Sequence, residues 1–205
     1  MVGLFLPFAA RAKAVEQRAI EVKRRYGYGP YDAIDPEQLA QRMGVLLVPD
    51  AWIGTLDVDI QRALLVDNAS SWSAATLTVE NVHHVLMNPT HSPTRRSPSL
   101  AEELVHIALG HPPSQVSIVD GVATRTCRTD TESEAYAVAV ALLLPYRTVF
   151  NHVDAGQPLD ALPTLVPLSP DCRYYRVKIT GLWRTYQARL RGASTARAAS
   201  RSRLR

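Results

Sequence analysis

The chain is poor in cysteine, in lysine and in long apolar runs, and each shortage excludes something. Its two cysteines, Cys127 and Cys172, form no CxxC pair. A disulfide framework is therefore not expected, which fits a reducing cytoplasm. No apolar run reaches the length needed to span a bilayer. The opening MVGLFLPFAARAKAVEQ has a short apolar stretch with no basic residue before it, so no signal peptide is expected. Lysine occurs only at 13, 23 and 178, and arginine carries the remaining positive charge. Acidic residues are missing from Arg184 to Arg205, which holds seven arginines. Without those seven charges the formal +4 of the chain becomes −3 for residues 1–183. The high pI thus belongs to the end of the chain and not to its body. That end reads as a solvated, disordered tail; contact with nucleic acid or an acidic surface is the alternative reading.

What is present describes a folded domain, with 46% hydrophobic and 20% charged residues over 205 positions. Helical spacing of Val15, Ala19 and Val22 predicts a helix over residues 8–26, ended by Gly27, Gly29 and Pro30. A second helix is expected at 36–43, with Asp35 as N-cap, Pro36 in the first turn and Gly44 as the stop. Residues 45–48 then read as a strand. Four short β-prone runs follow, at 54–58, 62–66, 76–79 and 84–87, and suggest a small sheet. After a loop to Pro98, Ser99 and Glu102 form an S-x-x-E capping box for a helix ending at Gly110. Residues 132–144, EAYAVAVALLL with its flanks, are apolar almost all round and predict a buried helix closed by Pro145. The expected class is α+β, with a body over 1–150, a helical appendage over 151–186 and the basic tail over 187–205.

The stretch Leu100–His111, LAEELVHIALGH, carries the chemistry. Residues four apart on a helix share a face, so Glu102 and His106 project together. Two side chains so placed are how a helix offers a metal two ligands. In the H-E-x-x-H arrangement the residue after the first ligand is the general base, and here that residue is Glu103. Glutamate replaces histidine at the first position. A third ligand must come from elsewhere, and Glu132 and Glu134 are the candidates. His111 is a further one, although a histidine at a helix C-terminus is commonly explained by the dipole. A Glu–His pair at this spacing is also common as a simple solvated pairing.

The order of motifs resembles the ImmA/IrrE family of metallopeptidases. The carrying segments are PEQLAQRMGVLLVP (36–49), VLMNP (85–89), RRSPSLAEELVHIALGH (95–111) and ESEAYAVAVALLLP (132–145). The resemblance covers roughly residues 10–150 and implies a minimal zincin-like domain: N-terminal helices, a small mainly antiparallel sheet and two active-site helices. It implies Glu103 as base, Glu102 and His106 as metal ligands, and Glu134 as the third ligand, with Glu132 and His111 as alternatives. Tyr136 stands where the family often has Asn or Asp. The implied cofactor is a divalent metal, zinc first. An oxygen-rich shell also suits Mn or Fe(II). The implied substrate is a protein, often a helix-turn-helix repressor whose cleavage relieves repression in phage or stress control. The alternative is an inactive descendant that binds a partner protein or DNA.

The segment 162–186 has a different character. A turn at Ser169-Pro170 followed by a helix carrying Arg173, Arg176 and Lys178 is similar to a helix-turn-helix, whose second helix reads the major groove. Equally, Tyr175, Val177, Ile179, Leu182 and Trp183 pack such a helix on a core and leave its charges to solvent.

Overall fold

The computed structural model describes residues 4–112, 115–119, 122–126 and 129–202, the stretches 115–126 and 193–202 by backbone alone. Cys127 lies outside the described residues.

Helix α1 (Ala10–Arg25) buries Ala19, Ile20 and Val22 on one stripe. Helix α2 (Pro36–Met43) follows the expected punctuation closely. The Asp35 side chain accepts a hydrogen bond from the Glu37 amide, and Gly44 ends the helix at φ 69°. A positive φ there is cheap only without a Cβ. Strand β1 (Leu46–Val48) pairs in parallel with β3 (Val82–Met87), and β2 (Ala74–Val79) pairs antiparallel with β3. The sheet order is therefore β1-β3-β2, with β3 in the centre. It is mixed, and of the four β-prone runs only the last two are strands. The first two fall in a 3-10 turn (Asp50–Thr55), helix α3 (Val58–Arg62) and a wide turn of helix (Ala63–Asp67). The Asp57 carboxylate caps α3 by accepting from the Asp59 amide, and a local cap of this kind outweighs the β-propensity of isolated Val and Ile.

Helix α4 (Pro93–Leu109) starts two turns earlier than the capping box suggested. Ser99 lies inside it, and so does Pro98. A proline in a helix interior forfeits one backbone hydrogen bond, which is why the sequence places the start after it. The helix still nucleates at Pro93, where a proline costs nothing, and Pro98 and Leu100 bury their side chains in the core. Asn88, fully buried, fixes the approach from β3. Its amide nitrogen donates to the Ala69 and Trp72 carbonyls, and its oxygen accepts from Thr90.

An antiparallel hairpin of β4 (Gln115–Val119) and β5 (Val122–Thr126) comes next. The Asp-Gly pair that separates them in the sequence is a hairpin signal. Helix α5 (Thr129–Leu143) is buried from Ala137 through Leu143 without interruption. It packs along α4 and against α1, so it is the axis of the core. Helix α6 (Tyr146–Asp154) continues beyond Pro145. Helix α7 (Pro170–Ile179) is capped by the Ser169 hydroxyl, which accepts from the Cys172 amide. Helix α8 (Trp183–Ser202) extends the backbone well into the stretch read as a disordered tail. Alanine and arginine are strong helix formers and no proline interrupts them. No helix among the described residues is long and apolar enough to cross a membrane.

Candidate metal centre

The packing of α4 along α5 brings one turn of each helix together. Glu102 and His106 face out from α4 on one stripe, and Glu132 arrives from the first turn of α5. Their donor atoms lie within 4.8 Å of one another, and all three residues are partly buried. The His106 Nε2 to Glu132 Oε2 distance is 3.8 Å. Tetrahedral ligands on a zinc-sized ion sit about 3.4 Å apart, given metal–ligand bonds near 2.1 Å. A side-chain adjustment of about an ångström closes the set. One imidazole and two carboxylates suit a divalent ion, so the residues fit the group.

Glu132 and Glu134 are two positions apart, and a helix turns such residues to different sides. Glu134 faces Arg18 of α1 at 3.5 Å and His111 Nε2 at 3.5 Å. It borders a cavity of about 600 Å³ between α1 and the start of α5, whose lining omits Glu102, His106 and Glu132. His111 in turn meets His106, Nδ1 to Nδ1, at 3.1 Å. These contacts fit His106 Nδ1–H donating to His111 Nδ1 with His111 Nε2–H turned toward the Glu134 carboxylate, and equally the reverse, with His106 Nε2–H turned toward Glu132. The first arrangement is the tautomer a metal ligand needs. The structure thus groups Glu102, His106 and Glu132, and places His111 and Glu134 one step behind His106.

Glu103 points away from this trio's stripe, toward the sheet. Its Oε2 accepts a hydrogen bond of 2.5 Å from the Thr76 hydroxyl on β2. Thr76 was not evident in the sequence, because only the pairing of β2 with β3 decides which β2 side chains face α4. Tyr136 lies four residues after Glu132 and so shares its face. Burial raises its phenol well above the usual range, with the Cys172 thiol and Glu102 adding to the effect. Burial likewise pushes the Cys172 thiol up, although its hydrogen bond with Tyr136 pulls the other way. Both groups are neutral hydrogen-bonding partners near neutral pH.

The basic residues of α7 serve the core more than a ligand. Arg176 is 1% exposed; its guanidinium pairs with the buried Glu16 of α1 and donates to the Leu144 carbonyl at 2.7 Å. It is therefore out of reach of a phosphate. Arg173 donates to the Leu159 and Asp160 carbonyls, and the Lys178 ammonium sits 4.7 Å over the Tyr174 ring. The helical spacing of basic residues was legible in the sequence. Which of them turns inward depended on Glu16, some 160 residues away.

Residues 57–157, about half of the chain, match the family model described as Peptidase_M78: IrrE N-terminal-like domain. The matched span contains β2, β3, α4, α5 and every residue of the trio. Neither the curated proteins nor the solved structures contain a significant match.

Proposed function

This chain belongs to the ImmA/IrrE family through residues 57–157, and from that premise we propose that it is a metal-dependent endopeptidase acting on a protein. The observation that carries the reading is the convergence of Glu102, His106 and Glu132. The three residues would hold a divalent ion, which when bound supplies a Lewis acid for the scissile carbonyl and for water. Zinc fits the mixed nitrogen and oxygen set, and the two carboxylates also admit Mn or Fe(II). Two negative ligands make a less acidifying site than three histidines do, so the burden on the base is greater.

Glu103 is that base. It takes a proton from the attacking water and delivers it to the departing amine, so that one water is consumed and one peptide bond is broken. Thr76 holds the carboxylate in place while it does so. His111 and Glu134 hold the His106 ring in the correct tautomer and orientation.

The substrate we propose is a cytoplasmic transcriptional repressor of the helix-turn-helix type, whose cleavage relieves repression. The direct test is incubation of zinc-loaded parent protein and its Glu103→Gln variant with a pool of peptides and unfolded proteins, read by mass spectrometry. New termini produced by the parent and absent with the variant support the reading. Identical peptide profiles from both would sink it.

A further inference from the structure

A cavity of about 450 Å³ opens beside the Glu102 carboxylate. Its wall is assembled from three helices: Arg95, Ser99 and Glu102 of α4, Tyr136 of α5, and Ser169 with Cys172 at the start of α7. Helix α7 lies outside the matched residues 57–157, so the C-terminal segment completes this space. Tyr136 packs there against the Tyr175 ring, 4.9 Å away between centroids.

Along α4, Arg95, Ser99, Glu102 and His106 follow steps of four, three and four, which makes one unbroken stripe. The stripe runs from a guanidinium to the metal centre. The two neighbouring arginines on this helix have different fates. Arg96 is committed to Asp50 through two hydrogen bonds of 2.7 and 2.9 Å. Arg95 has no carboxylate partner among the described residues. Its Nε and Nη2 donate to the Ser73 hydroxyl at 3.2 and 3.0 Å, and Nη2 also to the Ser70 carbonyl at 3.4 Å. These bonds orient the guanidinium plane and leave Nη1 uncommitted. The rest of the wall is rich in hydroxyls, which reward a polar guest and give a large apolar one little to pack against.

We infer that this cavity is a substrate subsite for an acidic side chain, with Arg95 receiving the carboxylate. The inference rests on the reading that the α4–α5 centre hydrolyses a peptide, and it adds a requirement on the substrate. Arg95 and Glu102 are seven residues apart, about 10 Å along the helix. An extended chain advances about 3.3 Å per residue. The acidic residue therefore lies within about three positions of the scissile bond. A divalent ion held by Glu102 in the same wall would offset that carboxylate's repulsion of an acidic guest. With the ion bound, Arg95 sets the sign of the cavity, so the preference for acid strengthens with metal.

The experiment measures binding on the full-length protein carrying Glu103→Gln, so that the peptide is not consumed. The probes are fluorescein-labelled decapeptides of Ala, Ser and Leu, amidated, with one Glu or one Gln at successive positions. One further Gln peptide keeps a free C-terminal carboxylate. With zinc present, the best Glu peptide is expected to bind about tenfold tighter than its Gln twin, as a charge-assisted hydrogen bond from Nη1 should. Arg95→Ala removes the difference, Arg95→Lys keeps part of it, and withholding zinc shrinks it. Equal binding of the twins, a preference that survives Arg95→Ala, a preference confined to the free C-terminus, or no binding by any peptide overturns the inference. Parent protein on the same set separates this result from the peptidase reading. Acid-selective binding without hydrolysis refutes the peptidase and leaves the subsite; hydrolysis indifferent to Glu does the reverse.

Discussion

His106 and His111 meet through their Nδ1 atoms at 3.1 Å, with the Glu134 carboxylate 3.5 Å behind His111. A hydrogen bond between two identical atoms has one donor and one acceptor, so this contact couples the two tautomers. With His106 as donor, His111 turns its Nε2–H toward Glu134 and His106 takes the tautomer that would ligate an ion.

Removing the partner behind a metal ligand typically lowers affinity about 10–100-fold. His111→Phe and Glu134→Gln are each expected to weaken zinc binding within that range. Glu132→Ala, which deletes a donor of the trio itself, is expected to exceed it. Competition against a chromophoric chelator ranks the three. If Glu134→Gln proved more damaging than Glu132→Ala, the assignment of the third ligand would pass to Glu134.

In the proposed mechanism Thr76 acts on catalysis only through Glu103. Thr76→Val keeps the shape and removes the hydroxyl, and kcat should fall about tenfold with KM little changed, a share of the 10²–10⁴ that a positioned base supplies. Thr76→Ser should restore most of the rate. Glu103→Gln should lose nearly all activity while still binding zinc. A Thr76→Val enzyme with unaltered kcat would remove the tether from the mechanism.

Arg176 and Glu16 form a buried pair between α7 and α1. Arg176→Met strands a carboxylate in the core, which costs about 3–5 kcal/mol in comparable cases. The double variant with Glu16→Leu should recover much of that loss. Urea denaturation gives both numbers. A single variant within about 1 kcal/mol of the parent would mean that the pair is open to water.

Lys23 shares this buried cluster. Burial lowers its pKa from 10.5 to about 8, with Glu16 opposing the shift and Arg176 adding to it. Between those two values the unfolded chain holds a proton there that the folded chain has lost, so stability rises with pH across that window. Below about pH 8 the folded state bears the full penalty of a buried charge. Lys23→Met should flatten the rise between pH 8 and 10.5, seen by comparing denaturation midpoints. An identical slope in the variant would place the ammonium in water.

The parts of the fold that depend on local punctuation were legible: Asp35, Pro36 and Gly44 around α2, and the apolar run of α5. The ends of elements were less so, because Pro98 masks the true start of α4 and Asp57 caps a helix where Val and Ile suggest strand. At the site, the i, i+4 pair on α4 could be read directly. The choice between Glu132 and Glu134 could not, since it depends on how α5 is rotated against α4 and α1. Arg176 was misplaced for the same kind of reason, as its partner Glu16 sits at the far end of the chain.

The proposed chemistry depends most on Glu102 serving as a ligand where a histidine would be usual. Metal content of protein purified without chelator, measured for the parent and for Glu102→Ala/His106→Ala, tests this directly. About one equivalent of zinc, manganese or iron in the parent and none in the folded double variant is the predicted result. Metal-free parent protein that also fails to take up added zinc would contradict the account.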